Sequence, residues 1–134
     1  MAQVARIVVA DDHPDMLDEL CELLAPTFEV VDAVGDGIAL VAATQRTNPD
    51  VIVADLAMPV MGGLAAARLI LQDRPDARIV FVTALTDPAI TERCLELGAL
   101  GWVSKIVAGS ELVPVVLAAL RGERRVALHR AAPG

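Results

Sequence analysis

The chain has 134 residues, which predicts a single domain, and it is 55% apolar with almost no aromatic side chains. Its net charge of −7 argues against a domain whose main partner is nucleic acid, because a polyanion would be repelled. No stretch approaches the ~18 apolar residues of a membrane span and no signal segment precedes the first apolar run, so we expect a cytoplasmic protein without membrane contact.

Short apolar runs alternate along the chain with segments of helical periodicity. The predicted strands lie at 6–10, 29–34, 51–55, 78–83 and 101–103. The predicted helices lie near 14–25, 37–46, 64–72, 88–97 and 110–121. Pro114 is expected to make the start of the last helix irregular or late. This alternation predicts an α/β fold: a flavodoxin-like, doubly wound, five-stranded parallel sheet of order 2-1-3-4-5 with five helices, in three layers.

Polar side chains follow four of the five predicted strands. They are Asp11, Asp12, Asp55, Thr83 and Lys105. The carboxyl ends of parallel strands meet at one edge of the sheet, and the first and third strands are neighbours in this order, so these groups should converge. Three close carboxylates either retain a proton or share a divalent cation, and hard oxygen ligands suit Mg²⁺. With a lysine and a hydroxyl beside them, they predict a phosphoryl site in which Asp55 itself is phosphorylated.

Each of these residues has an ordinary structural interpretation when taken alone. An acidic pair after a strand is often a turn or a helix start, and a strand-end Thr or a surface Lys is common. His13 is expected to be a surface or capping residue without a catalytic role. Cys21 and Cys94 lie far apart in helical patterns and are expected to be free thiols. The ordered combination of the five polar residues is what favours a site.

Four segments of the chain resemble the motifs of a known protein family. They are Asp11-Asp12-His13-Pro14, the stretch from Asp55 to Gly63, Thr83-Ala84, and the stretch from Gly101 to Lys105. Together they resemble the receiver domain of two-component response regulators over about residues 5–122, closest to the LuxR-type subfamily. In that subfamily a helix-turn-helix DNA-binding domain usually follows. The resemblance implies a receiver over 1–122, with 123–134 a C-terminal tail or the start of a linker to an output domain absent from this chain.

The resemblance implies a phosphoacceptor switch rather than an enzyme. Asp55 would accept a phosphoryl group from a sensor histidine kinase or, more slowly, from small phosphodonors, and would slowly dephosphorylate itself. Lys105 and Thr83 would contact the phosphoryl oxygens. The implied Mg²⁺ ligands are Asp11 (mostly through water), Asp12, Asp55 and the backbone carbonyl of Ala57. Phosphorylation would favour a homodimer through the face of the fourth and fifth helices, and would regulate transcription through an attached or partner DNA-binding domain.

Thr83 and Trp102 are the switch residues that the resemblance implies. The hydroxyl of Thr83 would turn to the phosphoryl group, and the ring of Trp102 would change rotamer. Receivers usually have Tyr or Phe where Trp102 stands. An indole is larger, so we expect Trp102 to stay partly exposed in both states. Gly62 and Ile106 also differ from the common pattern.

Other interpretations of the same residues predict different sequence features. A phosphatase with a phospho-aspartate intermediate typically carries Asp-x-Asp after its first strand and a cap domain, whereas Asp11 and Asp12 are adjacent here. A flavin-binding module would have more aromatic residues and a phosphate loop. A pseudo-receiver would lack part of the polar set. A stand-alone receiver that acts through protein–protein contacts stays open.

Overall fold

Six parallel strands form one sheet in the computed structural model, which describes residues 4–84 and 87–128. The strands are β1 (Arg6–Ala10), β2 (Glu29–Val34), β3 (Val51–Ala54), β4 (Ile79–Thr83), β5 (Gly101–Ser104) and β6 (Arg125–Ala127). Their spatial order is β2-β1-β3-β4-β5-β6. The first five follow the predicted order, and the predicted strand number of five is wrong by the added β6.

Five helices cover the two faces of this sheet. They are α1 (Pro14–Leu24), α2 (Gly37–Thr47), α3 (Gly63–Asp73), α4 (Pro88–Leu97) and α5 (Ala108–Leu120), with a 3₁₀ turn at Lys105–Val107 before α5. Alternate strand residues face opposite layers. Val9 and Val53 belong to the core beneath α1 and α5, whereas Val8, Ile52 and Phe81 belong to the core beneath α2, α3 and α4. The predicted three-layer arrangement is confirmed, and none of the described helices is long and apolar enough to cross a membrane.

The start of α5 differs from the prediction. The helix begins at Ala108, two residues before Ser110, because the 3₁₀ turn leads directly into it. Pro114 lies inside the helix rather than delaying it. Proline has no N–H to donate, so the carbonyl of Ser110 loses its usual partner four residues on. Burial of Leu112, Val115 and Val116 against the sheet maintains the helix through this position.

Strand β6 lies in the stretch predicted to be a tail without pattern. Arg125 N donates to Leu100 O (2.9 Å), and the parallel register sets Val126 beside Trp102. Outside the sheet plane, Arg124 Nη2 donates to the carbonyl of Leu95 at the end of α4 (2.9 Å). A strand of three residues, two of them exposed, is too short to show a periodic pattern in the sequence. It forms because β5 would otherwise have an unpaired edge. The domain limit at residue 122 stays a prediction.

A pair of proline variants should test the attachment of β6. Arg125 directs its N–H to β5, so Ala127, two residues on, does the same, whereas Val126 directs its N–H outward. Ala127→Pro should therefore remove a ladder hydrogen bond worth about 1 kcal/mol and speed trypsin cleavage after Arg124 about fivefold. Val126→Pro is the matched control and should leave the rate within about twofold of wild type. Equal acceleration in both variants would contradict this register.

Both cysteines are free thiols, as predicted. Cys94 is a fully buried residue of α4, and burial raises the pKa of its thiol to about 11. The unfolded thiol ionises first as the pH rises above its ordinary value of 9.0, so this contribution to stability is complete below pH 9.0 and is lost towards pH 11.

We therefore expect the stability of wild type relative to Cys94→Ala to fall as the pH is raised from 8.5 to 11. The fall should reach about 2 kcal/mol at pH 11, since one pKa unit corresponds to about 1.36 kcal/mol and the folded thiol is only half ionised there. Urea unfolding of both proteins at each pH measures it. A pH-independent difference would show that the thiol ionises as easily in the folded state as in the unfolded chain.

Candidate functional site

The carboxyl ends of β1 and β3 bring two aspartates side by side. Ala10 pairs with Ala54 in the parallel register, and Asp11 and Asp55 are the next residues of the two strands. Asp55 N donates to Ala10 O (2.9 Å), which fixes one chain against the other. Both carboxylates are buried, at 1% and 3% exposure. The convergence predicted from strand order alone is therefore present at this edge of the sheet.

Lys105 enters the same site from the end of β5. Its Nζ donates to Asp55 Oδ2 (2.9 Å) and lies 3.1 Å from Asp11 Oδ2. Burial alone would lower the pKa of Lys105, but the hydrogen bonds and charges of Asp55 and Asp11 outweigh it and raise the pKa above 10.5. The ammonium group therefore stays charged and joins the two buried carboxylates. It is the only lysine of the chain.

The acidic residues have the donor set of a metal site. Ligand atoms of Asp11, Asp12, His13 and Asp55 all lie within 4.8 Å of one another. Within the described residues, the buried oxygen Asp12 Oδ1 receives no hydrogen bond, whereas Asp11 Oδ2 has the ammonium group of Lys105 3.1 Å away. Buried oxygens without donors require an explanation, and a hard divalent cation supplies one. The three carboxylates therefore fit a bound Mg²⁺, the metal expected from the sequence.

Close backbone contacts hold the loop after β3 against Asp55. Ala57 N donates to Asp55 Oδ1 at 3.4 Å, and Ala57 itself is exposed beside the site. Gly63 N donates to Leu56 O (2.8 Å) as α3 begins. A Cβ on Gly63 would lie 2.1 Å from the carbonyl oxygen of Asp55, so only glycine permits this approach. Gly63 thus fixes the backbone that carries the candidate phosphoacceptor.

Thr83 ends β4 at the same edge and pairs in register with Ser104, directly before Lys105. Its side chain is buried at 1% exposure. All of the polar groups predicted from the sequence are thus present at one end of the sheet, on β1, β3, β4 and β5.

The expectation that Trp102 is partly exposed is wrong. The indole is 1% exposed and packs edge-to-face on Phe81, with ring centroids 6.3 Å apart. Its core cluster includes Ala54, Ala67 and Ala99, whose small side chains leave room for the larger ring. On the other side, β6 covers the edge of β5 at this register position. Trp102 is therefore a core residue of this domain.

His13 is the site residue that the sequence interpretation assigned no role. It precedes α1 as its N-cap, as expected, but its side chain makes no capping hydrogen bond. Its Nδ1 instead lies 3.1 Å from Asp12 Oδ1 and 3.4 Å from Asp11 Oδ1. The adjacency Asp11-Asp12-His13 was the available sequence indication.

Comparison with known proteins identifies the family. The family model described as the response regulator receiver domain matches residues 7–117. The chain belongs to the receiver domains of response regulators. The predicted phosphorylation-dependent switch of two-component signalling is thereby confirmed at the level of the family, and the phosphatase alternative loses its basis, because a receiver is typically a switch rather than a catalyst.

Similar proteins and structures support the closeness to LuxR-type receivers. The chain is 30% identical over 123 residues to the response regulator GacA of Pseudomonas viridiflava, covering 90% of this chain and 58% of that protein. It thus spans under two thirds of the length of such relatives. The receiver domain of NarL from Mycobacterium tuberculosis has a TM-score of 0.86 at 30% identity, covering 91% of this chain and 100% of that one. A LuxR-family response regulator from Aurantimonas has a TM-score of 0.86 at 35% identity, covering 92% and 89%.

Proposed function

We propose that Asp55 is the phosphoacceptor of this receiver and that a sensor histidine kinase is the donor. The observation that carries the proposal is the single ammonium group of Lys105, held 2.9 Å from Asp55 Oδ2 and 3.1 Å from Asp11 Oδ2. A fixed positive charge beside a carboxylate is the arrangement that stabilises an incoming phosphoryl group. The acidic groups alone would repel it.

The two oxygens of Asp55 have different roles in this proposal. Oδ2 is bound by Lys105, whereas Oδ1 receives only a long hydrogen bond from Ala57 N (3.4 Å) among the described residues. Oδ1 therefore attacks the phosphorus of a phosphohistidine. The P–N bond breaks, and the histidine nitrogen keeps the electron pair and takes a proton from solvent. A Mg²⁺ ion bound by Asp11, Asp12, Asp55 and the Ala57 carbonyl would supply charge neutralisation for the phosphoryl oxygens.

Lys105 and Thr83 then hold the product. The ammonium group moves from the carboxylate oxygen to a phosphoryl oxygen, and the hydroxyl of Thr83 donates to another. Small phosphodonors such as acetyl phosphate would react at the same oxygen, because the site provides the charge stabilisation and the donor only the leaving group. Slow self-dephosphorylation follows when water attacks the phosphoryl group at the same exposed rim.

The proposed consequences lie outside the site. Relatives of the chain carry names such as transcriptional regulatory protein DegU of Brevibacillus brevis, of which the chain covers 50%. We extend the proposal to transcriptional regulation through an attached or partner DNA-binding domain, with dimerisation on phosphorylation. The net charge of −7 leaves DNA contact to that other domain. A cytoplasmic location, where a kinase domain could reach Asp55, completes the proposal.

Intact-mass measurement after incubation with acetyl phosphate tests the proposal. Wild type should gain one phosphoryl group only when Mg²⁺ is present, and hydroxylamine should remove it, as expected for an acyl phosphate. Asp55→Asn should gain none. Asp50→Asn, which changes an aspartate at the opposite end of β3, is the control and should label like wild type. Labelling of Asp55→Asn to the wild-type extent would refute the assignment.

A further inference from the structure

The imidazole of His13 lies at the acidic site, yet the proposed phosphoryl transfer does not use it. Its Nδ1 is 3.1 Å from Asp12 Oδ1 and 3.4 Å from Asp11 Oδ1, while 71% of the side chain is exposed. The side chain does not cap α1. The backbone nevertheless holds it in place, because His13 N donates to Asp11 Oδ1 at 2.9 Å. The ring thus lies beside the carboxylates from a position directly before α1.

A second observation concerns the oxygen that faces this ring. Asp12 Oδ1 is buried and receives no hydrogen bond from any described residue, although Nδ1 is only 3.1 Å away. A buried acceptor without a donor is costly unless something else satisfies it. The neighbouring Asp11 carboxylate is fully buried, and its Oδ1 lies 3.4 Å from the same Nδ1.

The spacing of these atoms suits ligands of one cation. Adjacent ligands of a six-coordinate ion with bonds of about 2.1 Å are about 3 Å apart. Imidazole nitrogen is a good ligand for Co²⁺, Ni²⁺ and Zn²⁺ and a poor one for Mg²⁺, which prefers oxygen. We propose that His13 Nδ1 is an additional ligand of the metal site, so that this receiver binds Co²⁺ through three carboxylates and an imidazole. The inference rests on the proposed function, because it concerns the same metal site.

Calorimetric titration of the protein with Co²⁺ alone and with Mg²⁺ alone tests this ligand. Titrations use protein without a polyhistidine tag at pH 8, where an ordinary imidazole is neutral. His13→Ala should weaken Co²⁺ binding by about tenfold or more and Mg²⁺ binding by less than about twofold. His13→Asn, which keeps a favourable N-cap residue, should show the same loss for Co²⁺. His129→Ala, the other histidine of the chain, is the matched control and should bind both metals like wild type.

The visible d–d spectrum of bound Co²⁺ gives an independent measurement, because replacing an imidazole nitrogen by water changes its band positions. The spectrum should change in both His13 variants and not in His129→Ala. Unchanged Co²⁺ affinity and spectrum in the His13 variants, with normal Mg²⁺ binding, would refute the ligand and leave the proposed function intact. Equal losses of Co²⁺ and Mg²⁺ affinity would also refute the ligand, since His13 would then act only by shaping the turn between β1 and α1. Failure of wild type to bind either metal would refute the metal site itself.

Discussion

Lys105→Met should lower the free energy of unfolding by about 3–5 kcal/mol when no divalent cation is present. The variant keeps the apolar stem and removes the charge that lies 2.9 Å from Asp55 Oδ2 and 3.1 Å from Asp11 Oδ2. Two buried carboxylates then face each other without a counter-charge. Removing one member of a buried ionic group costs far more than an exposed pair contributes. Urea unfolding in the presence of a chelator measures the loss.

Two controls separate charge from packing in this variant. Combining Lys105→Met with Asp55→Asn removes one of the repelling carboxylates, so the double variant should regain much of the lost stability. Raising the pH gives the second control. The pKa of Lys105 in the folded protein lies above 10.5, so its stabilising effect is complete below that pH and declines as the pH passes the raised value. The difference in free energy of unfolding between wild type and Lys105→Met should become smaller as the pH passes the raised pKa of Lys105. If Lys105→Met alone were as stable as wild type, the ammonium group would be dispensable for stability.

Gly63→Ala should be the second most damaging change, with an expected loss of about 3 kcal/mol or more. The added Cβ would lie 2.1 Å from the carbonyl oxygen and 3.0 Å from the carbonyl carbon of Asp55. Both are backbone atoms, so no side chain can move aside. The loop after β3 would have to shift, and the hydrogen bond from Gly63 N to Leu56 O would weaken with it. Phosphoryl uptake by Asp55 should slow for the same reason.

Gly109→Ala is the matched control for this substitution. Gly109 lies in the first turn of α5, as Gly63 lies in the first turn of α3, and a Cβ there would meet no atom within 4 Å. Alanine should therefore be neutral or stabilise the protein by up to about 1 kcal/mol through its helix propensity. Thermal unfolding of both variants gives the comparison. Similar melting temperatures for the two would mean that the loop after β3 adjusts freely.

The sequence was sufficient to predict which polar residues converge, because these residues directly follow strongly apolar runs. An apolar run such as Val51–Ala54, which is buried at every position, predicts a central strand and so predicts Asp55 at the carboxyl end of that strand. The parallel order then determines which strand ends are neighbours. The same reasoning failed at β6, whose pairing depends on the exposed edge of β5 rather than on its own residues.

One side-chain prediction was wrong and one contact was not predicted, because both depend on neighbours that the local sequence does not reveal. Trp102 was expected to be too large to be buried, yet alanines from other elements give it space in the core. His13 is an exposed residue before α1, as predicted, but its contact with the acidic residues was not predicted. Its approach to Asp12 follows from the turn between β1 and α1, where His13 N binds the Asp11 carboxylate.

The position of β6 also determines how copies of this protein can meet. Without it, the sheet would end at β5, a wholly buried apolar strand whose unpaired N–H and C=O groups could join another chain. Instead, the sheet as described ends on one side at β6, which begins with Arg125 and follows Arg124. On the other side it ends at β2, where Asp32 forms an ion pair with Arg46. Charged terminal strands discourage runaway strand-to-strand polymerisation. The helical faces then remain the surfaces on which another molecule can bind without extending the sheet.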